Sequence, residues 1–181
     1  MRHHRCRWRF GSRACFDGGM SDTSESSQGG RTSSDSTEIR VVQASRVIAA
    51  PADVIFEQIA DPSRQPAWDG NDNLGEAPEG QRVRAVGDVF SMTLNKGAVR
   101  ENHVVEFEEG RRIAWKPAEQ GTPPIGQLWR WELEPEGAGT RVTHTYDWSE
   151  LHDEKRLARA RSTQAENLLA SIDRLAELLQ G

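Results

Sequence analysis

Four side chains in this chain are of types that move protons: Glu101, His103, His144 and Tyr146. Glu101 and His103 lie two apart in VRENHVVEFE, and His144 and Tyr146 lie two apart in VTHTYDW. On extended strands each pair shares a face. A carboxylate can orient an imidazole, an imidazole of ordinary pKa is a general acid or base near neutral pH, and a phenol can donate to a carbonyl oxygen. One base and one or two donors in a dry pocket are enough to remove a proton next to a carbonyl and stabilise the enolate. The same four residues also read as wall or rim groups with no reaction to perform. If buried, each needs a partner, because an unpaired polar group costs about 1–3 kcal/mol.

Around these groups the sequence is rich in aromatic residues. Trp129, Trp131 and Leu133 fall on one face of the run 126–135, and Val142, His144, Tyr146 and Trp148 on one face of 140–148. A sheet face built this way suits a concave surface that meets a partly polar ligand better than it suits a plain aliphatic core. Taking this face as inward, parity adds Phe90, Met92 and Leu94 from one strand and Val99, Glu101, His103, Val105 and Phe107 from the next. Ile113 and Trp115 follow from a further strand. Trp68, after the early helices, either closes the mouth of a pocket or packs those helices on the sheet. The binding candidates are therefore Trp68, Phe90, Met92, Trp115, Trp129, Trp131 and Trp148, and the expected partner is a small or medium hydrophobic molecule.

Other chemistries lack their residues. Glu101, His103 and His144 could be imagined as metal ligands, but there is no HExxH and no cysteine after Cys15, so no metal is expected. No GxGxxG, GxxxxGK[ST] or GxSxG stretch occurs, and no cofactor is expected. A formal net charge of -5 disfavours a nucleic-acid footprint. No run of 18 apolar residues suggests a transmembrane helix. The basic opening MRHHRCRWRF lacks the apolar core of a secretion signal, which favours the cytoplasm.

The elements that must position these residues begin after a tail. Residues 1–37 are dominated by Ser, Thr, Gly and charged residues and are expected to be disordered, and Met20 offers an alternative start that would make 1–19 an upstream extension. One domain is expected over 38–181. It opens with a strand in EIRVVQASRVIAA, then a helix started by Pro51 with Val54, Ile55, Phe56 and Ile59 on its buried side, ended at Asp61-Pro62. Antiparallel strands are expected near 82–94, 98–108, 111–117, 126–135 and 140–148. A single helix of about 28 residues, Asp153 to Gln180, closes the chain. Ala165, Leu168, Ile172, Leu175 and Leu179 form its apolar stripe, while Lys155, Arg156, Arg159 and Arg161 make its first half either solvated or a cover for a polar pocket mouth.

This order resembles the START-like superfamily, and more narrowly the polyketide cyclase/dehydrase and lipid-transport group. The resemblance rests on Ala50-Pro51-Ala52-Asp53-Val54 with Phe56, Asp61-Pro62 through Pro66-Ala67-Trp68, Gly87-Asp88, Trp129 with Trp131, and the ending SIDRLAELL. It implies an α+β helix-grip fold, a curved antiparallel β-sheet wrapped around a long C-terminal α-helix with a cavity between them. The superfamily spans cyclases, carriers, receptors and co-chaperone-like modules, so three functions stay open. One is aldol-type cyclisation or dehydration of a polyketide-like carbonyl compound. The second is non-catalytic carriage or sensing of a lipid-like ligand. The third is a protein-interaction module of a stress or toxin system.

Overall fold

The structure is a computed structural model and describes residues 38–180. The tail and both cysteines lie outside the described residues.

Alternating β-branched residues make β1, Val41–Ile48. Pro51 then caps α1, Ala52–Ala60, whose buried residues are Ile55, Phe56, Ile59 and Ala60. Val54, expected on that buried side, is exposed instead. Asp61 stops α1, and its carboxylate accepts from the Ser63 amide at 3.1 Å, starting a one-turn 3₁₀ segment, Pro62–Arg64. A single turn, α2 (Gln65–Trp68), follows. The sheet continues with β2 Leu74–Glu76, β3 Val89–Leu94, β4 Val99–Glu108, β5 Arg112–Glu119, β6 Leu128–Glu136 and β7 Gly139–Asp147. All pairings are antiparallel, in the order β1-β7-β6-β5-β4-β3-β2, so the first strand closes against the last hairpin.

The C-terminal helix is broken in two. α3 spans Glu154–Ser162 and α4 spans Ala165–Gln180, with Thr163 extended between them (φ -80°, ψ 116°). The single 28-residue helix expected from sequence is thus corrected. Only α4 carries a continuous apolar stripe: Leu168, Ile172, Leu175 and Ala176 are buried, while α3 buries Ala160 alone. The sheet grips α4, which packs on β1, β7 and α2. This is the α+β helix-grip arrangement, with the core of Ile48, Ile55, Phe56, Ile59, Phe90, Val104, Ile113, Trp131, Leu133, Val142, Ile172 and Leu175 filling the grip. Among the described residues no helix is long and apolar enough to cross a membrane.

Register decides which side chains face inward. Phe90 and Met92 are buried, and they pair with Asn102 and Arg100, so these two share the concave face. Glu101 and His103 therefore lie on the convex face, opposite Ser91 and Val89. Their expected inward position is corrected, and the reason is a β-bulge. The β4–β5 register shifts between Val104 and Glu106, so Val104 and Phe107 both face the core although they are three residues apart. Counting back from Phe107 in twos crosses the bulge and inverts every position before it. Val105, also expected inside, is exposed at the bulge, and Val99 lies opposite Thr93 on the convex side.

Candidate functional site

Between the concave face, α2, α3 and α4 lies a cavity of about 530 Å³. Its apolar wall is Trp68, Met92, Leu94, Trp115, Pro117, Trp129 and Trp131, drawn from α2 and three strands. The indoles are fixed before any ligand arrives. Trp68 donates from Nε1 to the Gln58 carbonyl at 3.0 Å and meets Trp131 edge to face at 5.3 Å. Trp115 stands edge to face on Phe90 at 5.4 Å. Trp129 stacks on Tyr146 at 4.2 Å. Such pairs add about 0.5–1.5 kcal/mol each beyond burial, so this wall is rigid.

His144 belongs to the wall. It is 6% exposed and stacked on Trp131 at 3.7 Å with the planes 13° apart. Burial pushes its pKa down from 6.5 to about 3, and the Leu168 backbone carbonyl, which accepts from the ring, offsets only part of this. Nδ1 has no partner among the described residues. The imidazole is therefore neutral at physiological pH.

The remaining sequence candidates separate by depth. Tyr146 is buried behind Trp129, and its hydroxyl accepts from Gln127 Nε2 at 2.7 Å. Burial pushes its phenol up, with the Gln127 bond opposing. Phe90 lies in the core behind Trp115, not on the cavity wall. Trp148 packs with Tyr146, Leu151, Ala160 and Leu168 in a second cluster, under the Arg40 guanidinium at 5.0 Å. Of the acid-base four, only His144 reaches the cavity. Glu101 instead accepts from the Gly121 amide at 3.0 Å outside the grip, and His103 lies across from Lys116. Trp68, Met92, Trp115, Trp129 and Trp131 are brought together.

Several polar wall residues escaped the sequence reading. Asn102, 6% exposed, lines the cavity with no side-chain partner among the described residues. Arg100 sits two residues before it on the same face. The adjacent apolar pair Val104-Val105, a break in strict alternation, was the available signal of the bulge that places Arg100 and Asn102 inward. Gln65 and Gln127 line the wall from α2 and the start of β6. Gln65 is anchored by donating to the Ile59 carbonyl at 3.0 Å.

Two tight approaches shape the rim. The loop after α2 is organised by Asp69, whose carboxylate accepts from the amides of Asn71 (3.2 Å), Asn73 (2.6 Å) and Leu74 (2.8 Å). Gly70 lies so close to α4 that a Cβ would fall 2.3 Å from the Ala170 carbonyl carbon, and its amide donates to Ser171 Oγ at 3.1 Å. Gly126, at φ 104°, would place a Cβ 2.1 Å from the Glu150 carbonyl oxygen. This close contact holds Ile125 and Gln127 at the cavity. α3 crosses the mouth. Its Arg156 is ion-paired to Glu119 at the end of β5, and Arg159 donates to Asn73 Oδ1 at 2.8 Å. Of the four basic residues of this segment, Arg156 and Arg159 line the mouth, whereas Lys155 and Arg161 are exposed and away from it. Among the described residues no three His, Cys, Asp or Glu side chains gather as a metal site.

Comparison with known proteins places this arrangement. The profile of the family described as polyketide cyclase / dehydrase and lipid transport matches residues 40–180. An uncharacterized protein of Mycobacterium tuberculosis is 32% identical over 105 residues, 56% of this chain and 44% of that protein; the chain thus spans less than half of that relative's length. A protein of Mesorhizobium loti has the same fold at a TM-score of 0.57 and 21% identity, covering 78% of this chain and 97% of that one. DynU16, from the dynemicin biosynthetic locus, superposes at 0.58 with 19% identity over 79% of this chain and 48% of its own. The Aha1 dimer of Colwellia psychrerythraea superposes at 0.53 with 20% identity, over 76% and 97%. At these identities the likeness shows the fold alone.

Proposed function

The chain belongs to the polyketide cyclase/dehydrase and lipid-transport family of the START-like superfamily, and from that premise we propose that it binds a ring-bearing hydrophobic molecule in the cavity between sheet and helices. The observation that carries this reading is the wall of four indoles, Trp68, Trp115, Trp129 and Trp131, around about 530 Å³. That volume falls within the roughly 300–1,000 Å³ range of small-molecule sites. Indole faces and edges held by their own packing favour flat, polarisable ligands over flexible chains, because neither partner then loses much rotamer freedom on binding. Polar groups among the indoles, Gln65, Asn102, Gln127 and Ser171, suit a ligand that carries a few oxygens.

Binding without turnover is the better-supported form of this function. His144 is the one imidazole on the wall, and a base whose conjugate acid has a pKa near 3 accepts a carbon-bound proton poorly at neutral pH. Tyr146 and His103 are not at the cavity surface to assist it. His144 serves instead as a flat neutral surface that extends the Trp131 stack.

The test is a fluorescence titration with a panel of polyketides, flavonoids, sterols and fatty acids, paired with native mass spectrometry of the protein isolated from its host. Saturable changes in Trp emission by polycyclic aromatics, reduced in Trp131→Phe, are the expected result. No saturable change up to about 1 mM would mean binding weaker than roughly -4 kcal/mol and would return the protein to the interaction-module reading.

A further inference from the structure

We propose that the ligand is an acid, and that Arg100, with Asn102 beneath it, is the seat of its carboxylate. This inference rests on the cavity being a ligand site and names the class of ligand it takes.

Arginines in this fold are mostly ion-paired. On the convex side Arg130 and Arg112 hold Glu106, and Arg82 holds Glu57 and Glu109. Among the described residues Arg84, Arg100 and Arg159 have no carboxylate partner, and the last two line the cavity. Arg159 is exposed at the mouth and bonds Asn73. Arg100 is half-buried on the inner wall, across from Met92, and its one bond is from Nη1 to its neighbour's carbonyl, that of Val99, at 3.1 Å.

The carboxylates of the wall do not supply the missing partner. Glu119 stands opposite Arg100 in register but is held by Arg156 of α3 at the mouth. Asp153 caps α3, accepting from the Lys155 amide at 3.0 Å, and lies 3.7 Å from Arg156. Asp69 is occupied by its three amides. A guanidinium has five N–H donors in a planar fork matched to a carboxylate, and taking it partly out of water without an anion leaves most of them unused.

Asn102 extends the seat inward. It lies two residues along the same face, about 7 Å at strand spacing, and its side chain, on a residue only 6% exposed, lines the cavity. Beyond it, Trp115 pairs with Val104 and Trp129 with Trp115. A ligand with its carboxylate on Arg100 and a second oxygen at Asn102 would place its rings against these indoles. The polarity gradient of the wall thus runs from cation to amide to aromatic surface.

The experiment compares 1-pyrenebutyric acid with its methyl ester, both read by quenching of Trp emission in the full chain at neutral pH. The acid is expected to bind about tenfold more tightly or better. Arg100→Met should remove the preference while leaving ester affinity within about twofold, which also shows that the cavity is intact; Arg100→Lys should keep part of it. Arg84→Gln, exposed and away from the cavity, should change the ratio little. Equal affinity of acid and ester for the natural chain overturns the acid assignment and leaves the pocket reading standing. Preference that persists in Arg100→Met overturns the role of Arg100. No saturable quenching by either compound defeats the pocket reading itself, and this inference with it.

Discussion

Acidification should destabilise the domain through His144 by an amount its burial determines. The imidazole has an ordinary pKa of 6.5 when unfolded, and burial lowers it to about 3 in the folded state. Between these values the unfolded chain binds a proton that the folded chain does not, so stability rises with pH through this window and falls on acidification below about 6.5. Below about 3 the folded form takes up the proton too and the loss stops growing. From pH 7 to pH 5 the unfolded imidazole goes 1.5 units below its pKa while the folded one stays neutral. At about 1.36 kcal/mol per unit this costs about 2 kcal/mol. His144→Gln removes the titration and leaves every carboxylate in place, so the natural chain minus the variant isolates the term. Urea unfolding followed by far-UV circular dichroism at pH 7, 6 and 5 measures it. With a slope of about 2 kcal/mol per molar urea, the natural chain's midpoint should fall about 1 M further than the variant's. Midpoints that move in parallel would refute the argument, because they would mean the imidazole protonates as readily folded as unfolded.

Three further outcomes follow from packing. Leu175→Ala, at a fully buried position of α4, should cost about 2–5 kcal/mol in chemical denaturation, whereas Leu178→Ala, on the exposed side of the same helix, should change stability by less than about 0.5 kcal/mol. Gly126→Ala should cost more than about 2 kcal/mol, because its Cβ has backbone on one side and its φ of 104° on the other; a near-neutral result would mean that segment 120–127 is not pressed onto Glu150. Asp69→Ala strands the amides of Asn71, Asn73 and Leu74 and should cost about 2 kcal/mol or more, with faster hydrogen exchange confined to residues 69–76 as the local signature.

What the sequence by itself determined are the features with a local cause. Pro51 and Asp61 bound α1 because one lacks an amide and the other supplies an acceptor to the next turn. Strict alternation at Trp129, Trp131 and Leu133, and at Val142, His144 and Tyr146, set the inward face of β6 and β7, since a regular strand has a period of two. With the α4 stripe, these made the helix grip legible and gathered five of the aromatic and sulfur-bearing wall residues. Tertiary structure alone decided the rest. A bulge at Val104–Glu106 relieves curvature in one strand and so exchanges Glu101 and His103 for Arg100 and Asn102 at the cavity; its position depends on how β4 meets β5. The break at Thr163 is likewise not written in helix-forming residues, because it serves to carry α3 across the mouth, where Arg156 and Arg159 find partners on β5 and in the loop before β2. His144 shows the limit most sharply: its type promised a base, and only the indole on one side and the sheet and helix around it, contacts far apart in the chain, made it a neutral wall.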